Sequence, residues 1–69
     1  MNRVQVSSSN IAEVGYDATS STLELLFTNG RVYQYFDVPE SVHQALMNAA
    51  SVGQYFHAEI RGVYRYARV

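Results

Sequence analysis

The sequence predicts an α+β domain, in which an antiparallel sheet of three to four short strands is followed by two helices packed on one face. Three observations carry the prediction. Alternating apolar and polar residues fill the first half of the chain on either side of an Asn-Gly pair, Asn29-Gly30. From Val42 onward the apolar residues take up the three-and-four spacing of a helical face. Strands precede helices rather than alternating with them, which separates this class from the doubly wound α/β folds.

Each element has a local cause. VQV at 4–6 and IAEVGYD at 11–17 read as short strands, with the polar run SSSN at 7–10 as the turn or kink between them. ATSST at 18–22 gathers hydroxyl residues that bond to nearby backbone, and reads as a loop. LELLF at 23–27 and RVYQYF at 31–36 flank Asn29-Gly30, the strongest short-range hairpin signal. A two-residue type I′ turn pairs Phe27 with Val32, Leu25 with Gln34, Glu24 with Tyr35 and Leu23 with Phe36. Leu23, Leu25, Phe27, Val32 and Phe36 then form the core face. Glu24, Leu26, Thr28, Arg31, Tyr33 and Tyr35 form the other, left open to solvent or to a partner.

Asp37, Pro39 and Glu40 suit the start of a helix, where proline fits and carboxylates meet the positive end of the dipole. Val42, Ala45, Leu46 and Ala49 supply its apolar face. Ser51 with Gln54 makes a capping box that opens a second helix, whose stripe is Val52, Phe56, Ile60 and Val63. Gly62 is the expected C-cap, and VYRYARV at 63–69 alternates again as an extended tail or edge strand.

Composition narrows the classes of function. A chain of 69 residues makes one domain and buries only about 60% of its unfolded surface, so its stability is marginal. The absence of cysteine rules out a disulfide scaffold and a thiolate zinc site. The N-terminus has no hydrophobic segment of signal-peptide type and no apolar run is long enough to span a membrane, so a cytoplasmic protein is expected. A net charge of −1 weighs against strong sequence-independent binding to nucleic acid. All five basic residues are Arg, and Arg61, Arg65 and Arg68 fall in the last nine positions. Arginine stacks on rings and grips carboxylate or phosphate in a bidentate fork, which lysine cannot do.

The ordered series Val14-Gly15-Tyr16-Asp17, Leu23-x-Leu25-x-Phe27, Gly30, Tyr33-x-Tyr35, Val38-Pro39, Ala49-x-Ser51-x-Gly53, Tyr55-Phe56 and Ile60-Arg61 covers nearly the whole chain. It resembles the KTSC domain, named after the C-terminal extension of some lysyl-tRNA synthetases, with Tyr-x-Tyr as its signature. The resemblance implies a small bacterial or phage protein, free-standing in most cases, in a family whose molecular function is not established. A link to RNA is implied only through the synthetase attachment. The family commonly carries Asn where this chain has His57.

The residues argue for binding rather than catalysis. Zinc needs three or more protein ligands, and His43 and His57 have neither a thiol nor a third histidine beside them, so no metal or cofactor is expected. The serines serve as loop formers and caps, without a nucleophile elbow or a phosphate-cradling glycine loop. Arg31, Tyr33 and Tyr35 suit a protein interface or self-association, slightly favoured because Glu24, opposite Tyr35 in the expected register, repels a phosphate backbone. The same trio also suits RNA or single-stranded nucleic acid, through base stacking. A third possibility is a satellite core, with Tyr16, Tyr64 or Tyr66 folded over the two tyrosines. Arg61, Tyr64, Arg65, Tyr66 and Arg68 of the tail form the other candidate strip.

Overall fold

The computed structural model describes residues 1–69 and contains seven elements. In chain order they are β1 (Arg3–Gln5), β2 (Ile11–Asp17), β3 (Thr22–Phe27), β4 (Val32–Tyr35), α1 (Glu40–Met47), α2 (Val52–Glu59) and β5 (Tyr66–Arg68). The strands form one antiparallel sheet in the order β1-β2-β3-β4-β5, each pairing with its neighbour. Five strands exceed the three to four expected, because the C-terminal tail adds an edge strand beside β4. No helix is long and apolar enough to cross a membrane.

The hairpin between β3 and β4 differs from the expected turn by one residue. Gly30 N–H donates to the Phe27 carbonyl (2.9 Å), and Phe27 N–H donates to the Arg31 carbonyl (2.9 Å). The loop is therefore Thr28, Asn29 and Gly30, a three-residue connection with Gly30 alone at positive φ (+89°). Asn29 stays at negative φ, and its Oδ1 accepts from Arg31 N–H (3.0 Å). The register becomes Leu23 with Tyr35, Glu24 with Gln34, Leu25 with Tyr33 and Leu26 with Val32.

A slip of one residue exchanges the faces of a strand. Tyr33 and Tyr35 lie on the core face with Leu23, Leu25 and Phe27, and the open tyrosine face of the sequence reading does not exist. Packing explains the choice. The observed register buries Tyr35 to 5% exposure and sets Phe27 edge-on to Tyr33, ring centroids 5.6 Å apart. The alternative would bury the Gln34 carboxamide among apolar side chains, a costly exchange without a partner. On the outer face Gln34 Nε2 instead donates to Glu24 (2.8 Å), and Arg3 bridges Glu13 and Glu24 (2.9 Å each). Val32 and Phe36 lie outside the core as well.

The helices cover the inner face. Leu46 of α1 and Val52 and Phe56 of α2, with Ile60 just beyond, close over Ile11, Val14, Leu23, Leu25 and Tyr35. Two expected stripe positions fall elsewhere. Ala45 is exposed, and Val63 is 62% exposed because α2 ends at Glu59 and Gly62 (φ +79°) turns the chain away. Pro39 serves as N-cap of α1 rather than inside its first turn. Half of the capping box forms at α2, where Ser51 Oγ accepts from Gln54 N–H (3.2 Å).

Candidate functional site

Burial of the tyrosines creates the most distinctive feature of the molecule. Phe27, Tyr33, Tyr66, Tyr35 and Phe56 form a closed circuit of five rings, each 5.5–5.7 Å from the next. The three contacts made by Phe27 and Phe56 are edge-on, a favoured geometry of aromatic pairs, and the two made by Tyr66 are tilted. The circuit draws on β3, β4, α2 and β5, four elements that only the folded chain brings together. Tyr35 sits at its floor, while Tyr66, on the edge strand, is 60% exposed. The rings line a groove of about 470 Å³, edged by Asn29, Arg31 and Arg61.

The candidates from the sequence separate into two groups. Arg31, Tyr33, Tyr35, Arg61 and Tyr66 meet in this groove. Arg68 stands opposite Tyr33 across the β4–β5 pair and so shares its face. Tyr64 packs against the core instead, and the Arg65 guanidinium lies over Phe36 (5.7 Å) and pairs with Asp37 (2.8 Å). Within β5, Tyr66 and Arg68 share the face of Tyr35 and Tyr33 as alternation along a strand requires, while Tyr64 and Arg65 precede the strand. Phe27 and Phe56, read in the sequence only as core positions, are walls of the groove. Nothing in their local sequence distinguishes that role.

A second groove, of about 780 Å³, adjoins the first and shares Phe27, Asn29, Phe56 and Arg61 with it. Its far wall is the Ser7–Ser8–Ser9–Asn10 loop, facing Gln54 and His57 of α2. Arg61 Nη1 lies 3.3 Å from His57 Nδ1, one turn earlier in the chain.

Charge is sorted across the molecule. None of the six carboxylate residues lines either groove. The ion pairs of the structure engage only Arg3 and Arg65, both away from the grooves, which leaves Arg31, Arg61 and Arg68 without carboxylate partners. Burial pushes the Tyr35 phenol above its ordinary range, reinforced by Tyr33 and Tyr66 and opposed by Arg61. It remains a neutral hydrogen-bonding group at physiological pH. His43 is half-buried and stacks on Tyr16, and burial lowers its pKa against the opposing effect of Glu40. No group of three or more His, Asp or Glu side chains converges anywhere.

Comparison with known proteins adds the family. A lysine–tRNA ligase from Trichormus variabilis is 46% identical over 59 residues, covering 86% of this chain and 10% of the ligase. The chain thus spans about a tenth of the length of the ligases it matches. An uncharacterized protein from Stutzerimonas stutzeri is 40% identical over 70 residues, matching all of this chain and 99% of its own length. The crystal structure of a KTSC domain protein from Yersinia pestis superposes with a TM-score of 0.96 at 40% identity, covering 99% of this chain and 96% of that one. Residues 7–69 match the model of the KTSC domain, and with this fold and these relatives the chain belongs to the KTSC family.

Proposed function

We propose that this domain is a non-catalytic recognition module that binds single-stranded nucleic acid, RNA foremost, in its aromatic groove. The observation that carries the proposal is a five-ring groove lined by Arg31 and Arg61, with Arg68 opposite Tyr33 on the neighbouring strand, where none of these arginines has a carboxylate partner and no carboxylate lines the groove. Stacking on aromatic faces holds bases irrespective of sequence, and arginine adds phosphate contacts and cation-π attraction. A net charge of −1 does not oppose this when the positive charge is gathered at one place.

The preference for a protein partner rested on Glu24 standing opposite Tyr35. Glu24 instead faces the other side of the sheet, held by Arg3 and Gln34, and repels nothing in the groove. The occurrence of a matching segment within lysine–tRNA ligases is consistent with an RNA setting. We take the domain to be cytoplasmic as part of the same proposal.

Fluorescence anisotropy with a labelled mixed-sequence RNA of about 12 nucleotides tests it. Log K should fall against log salt with a slope of about −2, since each phosphate neutralised on a single strand contributes about −0.7. A slope near zero, or no binding at low salt, would reject nucleic acid. A protein partner or self-association through Leu26, Val32 and Phe36 on the outer face would then be pursued.

A further inference from the structure

The two adjoining grooves differ in chemistry as the two parts of a nucleotide do. One is walled by flat rings and suits a base. The other offers hydroxyls and amides and suits a sugar-phosphate. They meet at Arg61, which is exposed, has no carboxylate partner and lines both. We propose that they form one two-compartment site: a base enters the aromatic groove, its phosphate is held by Arg61, and the adjoining nucleotide runs along the serine loop. Resting on the nucleic-acid reading above, this goes further by giving the strand a path and a smallest ligand, the dinucleotide.

Three features support the path. First, the Arg61–His57 contact uses Nη1 alone, which leaves the remaining guanidinium donors for a phosphate. Second, the polar wall is built in advance. Ser8 Oγ accepts from Asn10 N–H (3.2 Å) and Ile11 N–H (3.3 Å), fixing the loop on itself. Thr28 ties it to the β3–β4 turn, its N–H donating to the Asn10 carbonyl (2.9 Å) and its hydroxyl to the Ser9 carbonyl (3.2 Å). Third, the hydroxyls of Ser7 and Ser9 and the side-chain amides of Asn10 and Gln54 appear in none of the hydrogen bonds within the protein. They are the donors and acceptors a sugar-phosphate requires, in a groove free of carboxylates. Both volumes fall in the range of about 300–1,000 Å³ typical of small-ligand sites.

The test is an amide and side-chain NMR titration of the full chain with uridine monophosphate, the dinucleotide UpU and a uridine tetranucleotide. The mononucleotide should shift Tyr33, Tyr66 and Arg61. UpU should also shift Ser9, Asn10 and Gln54 and bind about three- to tenfold more tightly, the effect of about one net hydrogen bond to a charged or polar group. The combined variant N10A and Q54A should shrink the ratio of dinucleotide to mononucleotide affinity. Dinucleotide and tetranucleotide that occupy the aromatic groove but leave Ser9, Asn10 and Gln54 unmoved would overturn the two-compartment site while leaving the nucleic-acid proposal intact. Absence of binding by all three ligands would overturn both.

Discussion

Tyr16 and His43 stack face to face, with ring centroids 4.6 Å apart and planes 8° from parallel. The pair joins β2 to α1, and Glu40, one turn earlier on the helix, is the carboxylate acting on the imidazole. Burial holds His43 below its ordinary value of 6.5, so the unfolded chain takes up a proton more readily than the folded one. The stability contributed by the neutral ring is complete above 6.5 and is lost as pH falls through the folded value. Urea midpoints measured at about pH 7.5 and about pH 5 should fall with acid in the native protein and fall less in H43F. Equal falls in both would mean that this stack does not carry the pH dependence.

Tyr16 also anchors the connection into α1, because its hydroxyl donates to the carbonyl of fully buried Val38 (2.6 Å). Y16F keeps the stack and deletes this bond. A loss of about 1 kcal/mol is expected, or about 4–8 °C in Tm for a domain of this size. Thermal unfolding by circular dichroism measures it, and an unchanged Tm would show that water replaces the hydroxyl without cost.

Gly30 sets the register of the central hairpin from the third position of its loop, at φ +89°. A Cβ there meets no neighbouring atom, so any cost of G30A comes from the backbone conformation alone. The variant should be destabilised by about 1 kcal/mol while retaining the pairing of Leu25 with Tyr33. Cross-strand nuclear Overhauser effects report the pairing. A shift to the two-residue turn would appear as contacts between Leu26 and Tyr33.

The tail gives a paired prediction for binding. R68A should weaken RNA binding and flatten its salt slope, whereas R65A should leave both unchanged, because Arg65 is engaged with Asp37 and Phe36 outside the groove. The Arg65–Asp37 pair is more than three-quarters exposed on both sides, so its loss should barely alter stability. Equal effects of the two substitutions would argue for diffuse charge attraction rather than a formed groove.

Tyr66 and Tyr35 should separate binding from folding. Y66A removes a largely exposed ring and should lower RNA affinity by about 1–3 kcal/mol with little change in Tm. Y35A opens the core beneath it and should unfold much of the protein, since a loss of about 3–5 kcal/mol approaches the whole stability of so small a domain. An RNA affinity unaffected by Y66A would remove the ring circuit from the site.

Much was legible in the chain itself. Alternation, the Asn29-Gly30 pair, the helical spacing after Val42 and the Ser51 cap determined the strands-then-helices order, because each is a property of residues close in sequence. The ordered motifs determined the family. The tertiary structure decided which way the tyrosines face, since two-residue and three-residue loops both use Asn29-Gly30 and differ only in how much apolar surface each register lets the helices cover. It also decided that Arg61, Tyr66 and Phe27 share a groove while Arg65 does not. Those contacts join β3, β4, α2 and β5, and no local pattern encodes a distance between residues so far apart in the chain.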